Sequence, residues 1–309
     1  MTLFPAILLA LLMDVLFGDP PNRLHPTAWM GSLIHVLMRF RPRGNAAAAL
    51  FYGIFILIVG LSITVGAGWG LSLLAGQLPF WAGVLLHAFA LKLTISLRGL
   101  DRAAGQVQSA LQAADLPEAR RLLAWHLVSR DTSQLDASKL AAAAIESVAE
   151  NASDGIIAPL FFYTLGGLPL AFAYRFANTA DSLLGYRDPE REWLGKVPAR
   201  FDDLLNLIPA RLTGLFLLLA APLCGANAWQ GWRILWRDSR LTASPNAGVP
   251  MSAMAGALSV ELEKVGLYTL GRGLRAPTVS DLARARLLLR GAVALAALTF
   301  TLWSGFVFH

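Results

Sequence analysis

Residues 46–75, AAAALFYGIFILIVGLSITVGAGWGLSLLA, form one uncharged apolar run. A helix of about 20 such residues spans the roughly 30 Å hydrocarbon core of a bilayer. A water-soluble domain has no use for a segment that long without a polar face. Only 15% of the 309 residues are charged, against about 25% in soluble domains, so solvating surface is scarce. Further apolar segments lie at 1–17, 80–97, 156–176, 204–224 and 287–307. The predicted fold class is therefore all-α: a polytopic integral membrane protein of five to six hydrophobic segments, read as a single domain over 1–309.

The Gly76-Gln77-Leu78-Pro79 break between 46–75 and 80–97 is short, so these two segments read as an antiparallel hairpin. Arg39, Arg41 and Arg43 precede it and Arg98 and Arg102 follow it, which predicts that both ends face the cytoplasm. Residues 98–155 change character. They form a predicted amphipathic helical insert, with Pro117 in the first turn of one helix and Thr132 or Asp136 capping an Ala-rich second one. Gly166-Gly167-Leu168-Pro169 interrupts 156–176 and predicts a re-entrant or broken helix as readily as a simple crossing. A conflict remains at 204–286. If 204–224 crosses once, the basic residues from Arg233 to Arg286 fall on the outer side, against the positive-inside rule. Either 204–224 turns back or one crossing is miscounted.

Met1 to Phe17 lacks a basic leading region and is interrupted by Asp14, so it reads as a retained segment. Cys224, the one cysteine, excludes an internal disulfide and a cysteine metal site. The net charge of +6 is spread beside apolar segments without a long basic run. It reads as orientation and contact with anionic lipid rather than nucleic-acid binding.

Polar residues gather in five blocks at the edges of the apolar segments, where ionisable groups are expensive and mark functional candidates. The first, around Asp19 and His25, lies in a Pro-stiffened turn that also reads as a helix cap. In the second, Glu146 and Glu150 share a helix face. Asn151 and Asp154 then crowd the end where the helix dipole disfavours anions, a pattern that suits a metal or a cationic ligand, or a solvated helix end. The third sets Arg175, Asn178 and Asp181 three residues apart, fit for phosphate and Mg²⁺ or for an Arg–Asp pair steadying the helix. The fourth pairs Asp202 and Asn206 at i, i+4, with Asp203 and Arg200 adjacent. The fifth, from Ser244 and Asn246 into a run of small residues, permits either close helix packing or close approach of a ligand. No phosphate-loop, dinucleotide or H-E-x-x-H motif occurs. The residues alone point to a Mg²⁺-assisted polar site at the membrane face that handles an anionic group.

The blocks GDPPNRLHP (18–26), RDTSQL (130–135), AIESVAENASDGIIAPLFF (144–162), YRFANTADSLLGY (174–186), ARFDDLLNLIPAR (199–211) and SPNAGVPMSAMAGAL (244–258) together resemble the CobD/CbiB family of cobalamin biosynthesis. The resemblance implies an adenosylcobinamide-phosphate synthase, a carbon–nitrogen ligase of the cell (inner) membrane with its site at the cytoplasmic face. Its substrates would be adenosylcobyric acid, aminopropanol or its O-phosphate, and ATP with Mg²⁺. An amide would form at the ring-D propionate. A homo-oligomer, or a complex with other cobalamin-assembly enzymes, stays open. On this reading Glu146, Glu150 and Asp154 are catalytic candidates, and Asp154, Asp181 and Asp202 are metal candidates. Asp19, His25, Asn151, Arg175, Asn178, Arg200, Asn206, Ser244 and Asn246 are expected to bind substrate or phosphate.

Two other classes compete. A transporter of a corrinoid or other anionic solute would also place acids beside a broken helix, although these polar groups lie mostly at segment ends. A non-enzymatic membrane sensor would have lost several of the blocks, and all are present.

Overall fold

The computed structural model describes residues 4–186, 188 and 191–307; Met1 to Leu3 of the predicted first segment lie outside them. Its helices are α1 (Phe4–Phe17), α2 (Pro26–Met38), α3 (Ala46–Gln77), α4 (Phe80–Lys92), α5 (Leu97–Gln112), α6 (Leu116–His126), α7 (Ala137–Ala152), α8 (Ala158–Leu184), α9 (Lys196–Leu205), α10 (Leu207–Ala220), α11 (Ala228–Asp238), α12 (Gly248–Leu258) and α13 (Val279–Val307). Between α12 and α13 lies an antiparallel hairpin of β1 (Leu262–Lys264) and β2 (Tyr268–Leu270), with Glu263 opposite Thr269. The sequence reading missed this hairpin, whose turn is made by Gly266 at φ +75°. By length and apolarity four helical stretches can cross a membrane, or five if the broken pair α9 and α10 counts as one. This is a multi-pass membrane protein.

The chain divides into two compact units. The first comprises 1–96, 158–206 and 297–309; the second comprises 97–157 and 207–296.

In the first unit α3 is apolar all round, and its Phe51, Ile58 and Trp69 remain exposed, as lipid-facing side chains do. Its other side meets α8 at glycines. A Cβ on Gly60 would sit 1.7 Å from the Phe176 ring, and one on Gly68 would meet the Pro169 backbone at 2.6 Å. Without a hydrophobic drive between helices in lipid, such close contact supplies the attraction. Phe176, Ala180 and Leu184 of α8 join Ile56 and Leu57 of α3 and Ile34 of α2 in one core. The expected break in α8 is present: Gly166 and Gly167 leave helical geometry, with Gly167 at φ +66°, and Pro169 follows.

In the second unit Asp136 caps α7 by accepting from the Lys139 amide, and Asp115 caps α6 with Pro117 in the first turn. α5 and α6 have the amphipathic pattern expected of them. α7 differs, because every residue from Leu140 to Ala149 is buried; alanine-rich faces let neighbouring elements close in on all sides. Its end widens into a π-helical turn, Ser153–Ile157, a form frequent at functional sites. The small-residue stretch becomes α12, buried throughout and pressed on α11. A Cβ at Gly256 would meet the Gln230 carbonyl oxygen at 2.6 Å. The packing reading of that stretch therefore holds.

Gly60→Ala drives a methyl into the fully buried Phe176 ring. It should cost about 1–3 kcal/mol of stability, read as a lower Tm of the detergent-solubilised protein. Phe176→Leu in the same chain should restore part of the loss, whereas simple additivity would show that the two residues do not press on each other.

Candidate functional site

In the first unit, blocks one, three and four form two hydrogen-bonded clusters joined by the backbone of residues 92–96. Asp19 lies after α1, in the turn that leads to α2. It accepts from Ser96 Oγ at 2.5 Å and from Lys92 Nζ at 3.4 Å, and His25 Nε2 lies 3.6 Å away. His25 also caps α2, its Nδ1 accepting from the Thr27 amide at 3.2 Å. Lys92 is only 4% exposed, so its ammonium depends on that carboxylate. Two residues further on, the Thr94 carbonyl accepts from Arg175 through Nε at 2.9 Å and through Nη2. Arg175 Nη1 donates to Asn178 Oδ1 at 3.3 Å, and Asn178 Nδ2 donates to Asp202 Oδ1 at 3.4 Å. Asn206 Nδ2 donates to Asp202 Oδ2 at 2.9 Å, while Tyr174 OH donates to Asn206 Oδ1 at 2.9 Å.

Local sequence explains this order. At about 100° per residue, Tyr174, Asn178 and Asp181 fall on one face of α8, and Asp202 and Asn206 face it from the end of α9. Asp202 is 6% exposed, and the charges acting on it are those of Asp181 and Asp203. Asp203 is answered by Arg200 at 3.5 Å. The Asp181 carboxylate lies against Gly185, where a Cβ would meet Oδ1 at 2.2 Å. A buried carboxylate with a second, half-buried one beside it favours a bound cation or a proton. Among the described residues no three His, Cys, Asp or Glu side chains gather as a metal cage. Two carboxylates with nearby amides still fit Mg²⁺, which usually takes one or two carboxylates and fills its shell with phosphate and water.

The second unit holds the other candidates. Glu146, on buried α7, accepts from Arg130 Nη2 at 3.2 Å. Glu146 Oε1 and Arg130 Nε are buried without a hydrogen-bond partner, an arrangement that is costly unless a polar ligand meets it. Tyr268 and Lys264 of the hairpin lie alongside Glu146. Burial, together with the Glu146 and Glu150 charges, pushes the Tyr268 phenol up. Tyr268 also lines a cavity of about 430 Å³ with Arg237, Arg272 and Thr269. Asn151 donates to the Ser147 carbonyl at 2.9 Å, and Ser147 Oγ donates to the Leu127 carbonyl at 2.8 Å. Asp154 lies in the π-helical turn. Ser244 Oγ accepts from the Asn246 amide at 3.2 Å, and buried Asn246 accepts from Arg211 at 2.6 Å, so this pair fixes the entry to α12.

Sequence reasoning did not single out Lys92, Thr94, Ser96, Tyr174, Arg130 or Tyr268. Tyr174 carried a signal, its i, i+4 spacing to Asn178. Thr94 acts through its carbonyl and carried none.

Burial pushes the Asp19 carboxyl up. Hydrogen bonds from His25 and Ser96 and the charges of Lys92 and His25 outweigh that, holding it at about 2 against an ordinary 3.8. A lowered folded-state value adds stability above 3.8, and that contribution fades as pH falls from 3.8 towards 2. Asp19→Asn should lower the Tm at neutral pH, and the difference from wild type should shrink across this window. A difference that stays constant with pH would exclude the ionised form as its source.

The family model described as CobD/Cbib protein matches residues 7–295. A cobalamin biosynthesis protein CobD of Geobacter metallireducens is 44% identical over 275 residues, covering 89% of this chain and 86% of the relative. A CobD of Dehalococcoides mccartyi is 45% identical over 269 residues, covering 87% and 86%. A cobalamin biosynthesis protein CbiB of Salmonella typhi is 39% identical over 287 residues, covering 89% of each. No solved structure matches the chain. The chain belongs to the CobD/CbiB family of cobalamin biosynthesis proteins.

Proposed function

We propose that this protein is an adenosylcobinamide-phosphate synthase acting at the cytoplasmic face of the cell membrane. It would join aminopropanol, or its O-phosphate, to the ring-D propionate of adenosylcobyric acid at the expense of ATP. The observation that carries the reading is family membership across nearly the whole chain, with the motif residues Arg175, Asn178, Asp202 and Asn206 in one hydrogen-bonded network around buried Asp202.

A carboxylate is a poor electrophile, so the propionate oxygen first takes the terminal phosphoryl group of ATP and ADP leaves. The amine nitrogen then attacks the acyl carbon. The C–N bond forms, the C–O bond to phosphate breaks, and one amine proton passes to a base. Phosphoryl transfer needs mainly positioning and neutralised charge. Bound Mg²⁺ would supply charge neutralisation on phosphate oxygens, with Asp181 and Asp202 as its holders in the first unit and Asp154 as a further candidate in the second. Arg200, 72% exposed, has the freedom to turn from Asp203 to a phosphate. Arg175 is already committed to Thr94 and Asn178, so its guanidinium chiefly positions the Asn178–Asp202 pair. Glu146 and Glu150 are the candidate bases. Arg130 holds one Glu146 oxygen and Tyr268 lies beside the carboxylate, so Glu146 is proposed to take the ammonium between these two groups. Asp19, His25, Asn151, Ser244 and Asn246 are proposed to border the substrates.

Purified protein with adenosylcobyric acid, ATP, Mg²⁺ and aminopropanol, with or without its phosphate, should give the amide together with ADP and phosphate by mass spectrometry. Uptake of corrinoid by proteoliposomes without ATP cleavage or amide would replace the synthase reading with a transporter. Asp202→Asn keeps the side-chain volume and should cut kcat/KM about 100-fold or more, as should Asp181→Asn. Near-normal rates in both would remove them from the site. Glu146→Gln should lower kcat with a smaller change in the KM for ATP.

A further inference from the structure

α11, Ala228–Asp238, is an 11-residue helix of sequence AWQGWRILWRD, about 16 Å long and so too short to cross hydrocarbon. At about 100° per residue, Trp229, Trp232 and Trp236 fall within an arc of roughly 60°. Arg233, Arg237 and Arg240 (the last just beyond the helix end) fill the adjoining arc of roughly 60°. Gly231, Ile234 and Asp238 lie on the opposite side and are buried. Close contact with α12 at Gly231 and Gly256 pins that inner side. So do the hydrogen bonds that buried Asp238 accepts from the Gly271 amide at 2.6 Å and from Arg237 at 2.6 and 2.8 Å. The outward side is bare: Trp229 is 69% exposed, Trp232 42% and Trp236 67%. No acidic residue of the helix lies on it.

An aromatic stripe beside a guanidinium stripe, parallel to the helix axis, matches the boundary between acyl chains and phosphates. Indoles concentrate at that depth, and basic amphipathic helices lie along it in the plane of the membrane. A partner protein would also need to answer the Arg233 and Arg240 guanidiniums standing beside the indoles, Arg237 being already paired with Asp238. Anionic lipid does so, and the chain carries helices of bilayer length that hold it in a membrane. We propose that α11 lies flat in the membrane interface, with its indoles at the acyl boundary and Arg233 and Arg240 on the phosphates of anionic phospholipid. This assigns the basic 225–286 stretch a place at the membrane surface and requires no further crossing within it.

The test uses the full chain with Cys224→Ala and, one at a time, Trp229→Cys, Trp232→Cys or Trp236→Cys, each carrying a nitroxide. The proteins are reconstituted in vesicles of phosphatidylcholine, alone or with about one-third phosphatidylglycerol. Collision with oxygen and with a water-soluble nickel complex should give three shallow depths within about 3 Å of one another, whereas a crossing helix would separate the ends by about 10 Å. Phosphatidylglycerol should deepen all three, and Arg233→Gln with Arg240→Gln should abolish that effect. Quenching of native indoles by brominated lipid, reduced in the Trp229→Phe/Trp232→Phe/Trp236→Phe protein, checks the unlabelled fold. Full access to nickel, or a nitroxide immobilised and shielded from both reagents as at a protein interface, would overturn the proposal. Depths that ignore phosphatidylglycerol would overturn the anionic-lipid assignment.

Discussion

Hydrocarbon offers no hydrogen bonds, so every polar group carried into an apolar helical unit must find its partner within the protein. The Asp202 network obeys this constraint closely. Its two oxygens are met by Asn178 and Asn206, Asn206 is met by Tyr174, and Asn178 by Arg175. Arg175 in turn satisfies the Thr94 carbonyl at the turn following α4, a backbone group that the helix itself leaves open. Helix ends and side chains thus complete one another. The network helps to fix how the end of α9 meets α8, alongside the apolar contacts around Phe176.

Charge is handled differently from hydrogen bonding in the same unit. Asp19 has a full set of answering groups in Lys92, Ser96 and His25, so it stays ionised with ease. Asp202 has amides and like-charged neighbours instead. A buried carboxylate with that company is a poor stabiliser and a good receptor. The contrast separates a carboxylate that orders the chain from one suited to a ligand. In the second unit, Glu146 combines the two conditions, with one oxygen answered by Arg130, the Tyr268 hydroxyl beside the carboxylate and Glu150 as a like-charged neighbour.

The breaks in helical geometry share a cause. Gly166 and Gly167 in α8 and the π-helical turn after α7 interrupt otherwise strong helix formers; the turn carries Asp154 of the second polar block, and the glycine break follows it before the third. Loosened backbone is expensive in an apolar setting. It persists where surrounding packing holds it, as Pro169 against Gly68 does for the first.

Much of this was legible in the residues. The run 46–75 dictated a lipid-facing helix, Asp136 and Pro117 announced helix starts, and the Gly-Gly-Leu-Pro break appeared where expected, because each depends on neighbours within a few positions. The polar blocks stood out as groups too costly to be placed at random beside apolar segments. Sequence could not say which acids are answered and which are not. Lys92 reaches back to Asp19, Arg175 finds a carbonyl rather than a carboxylate, and Tyr268 arrives beside Glu146 on a hairpin that no hydrophobic period announced. Those partnerships join residues tens to more than a hundred positions apart. Local propensity and periodicity decide elements, whereas the pairing of buried charges is settled only when distant segments pack.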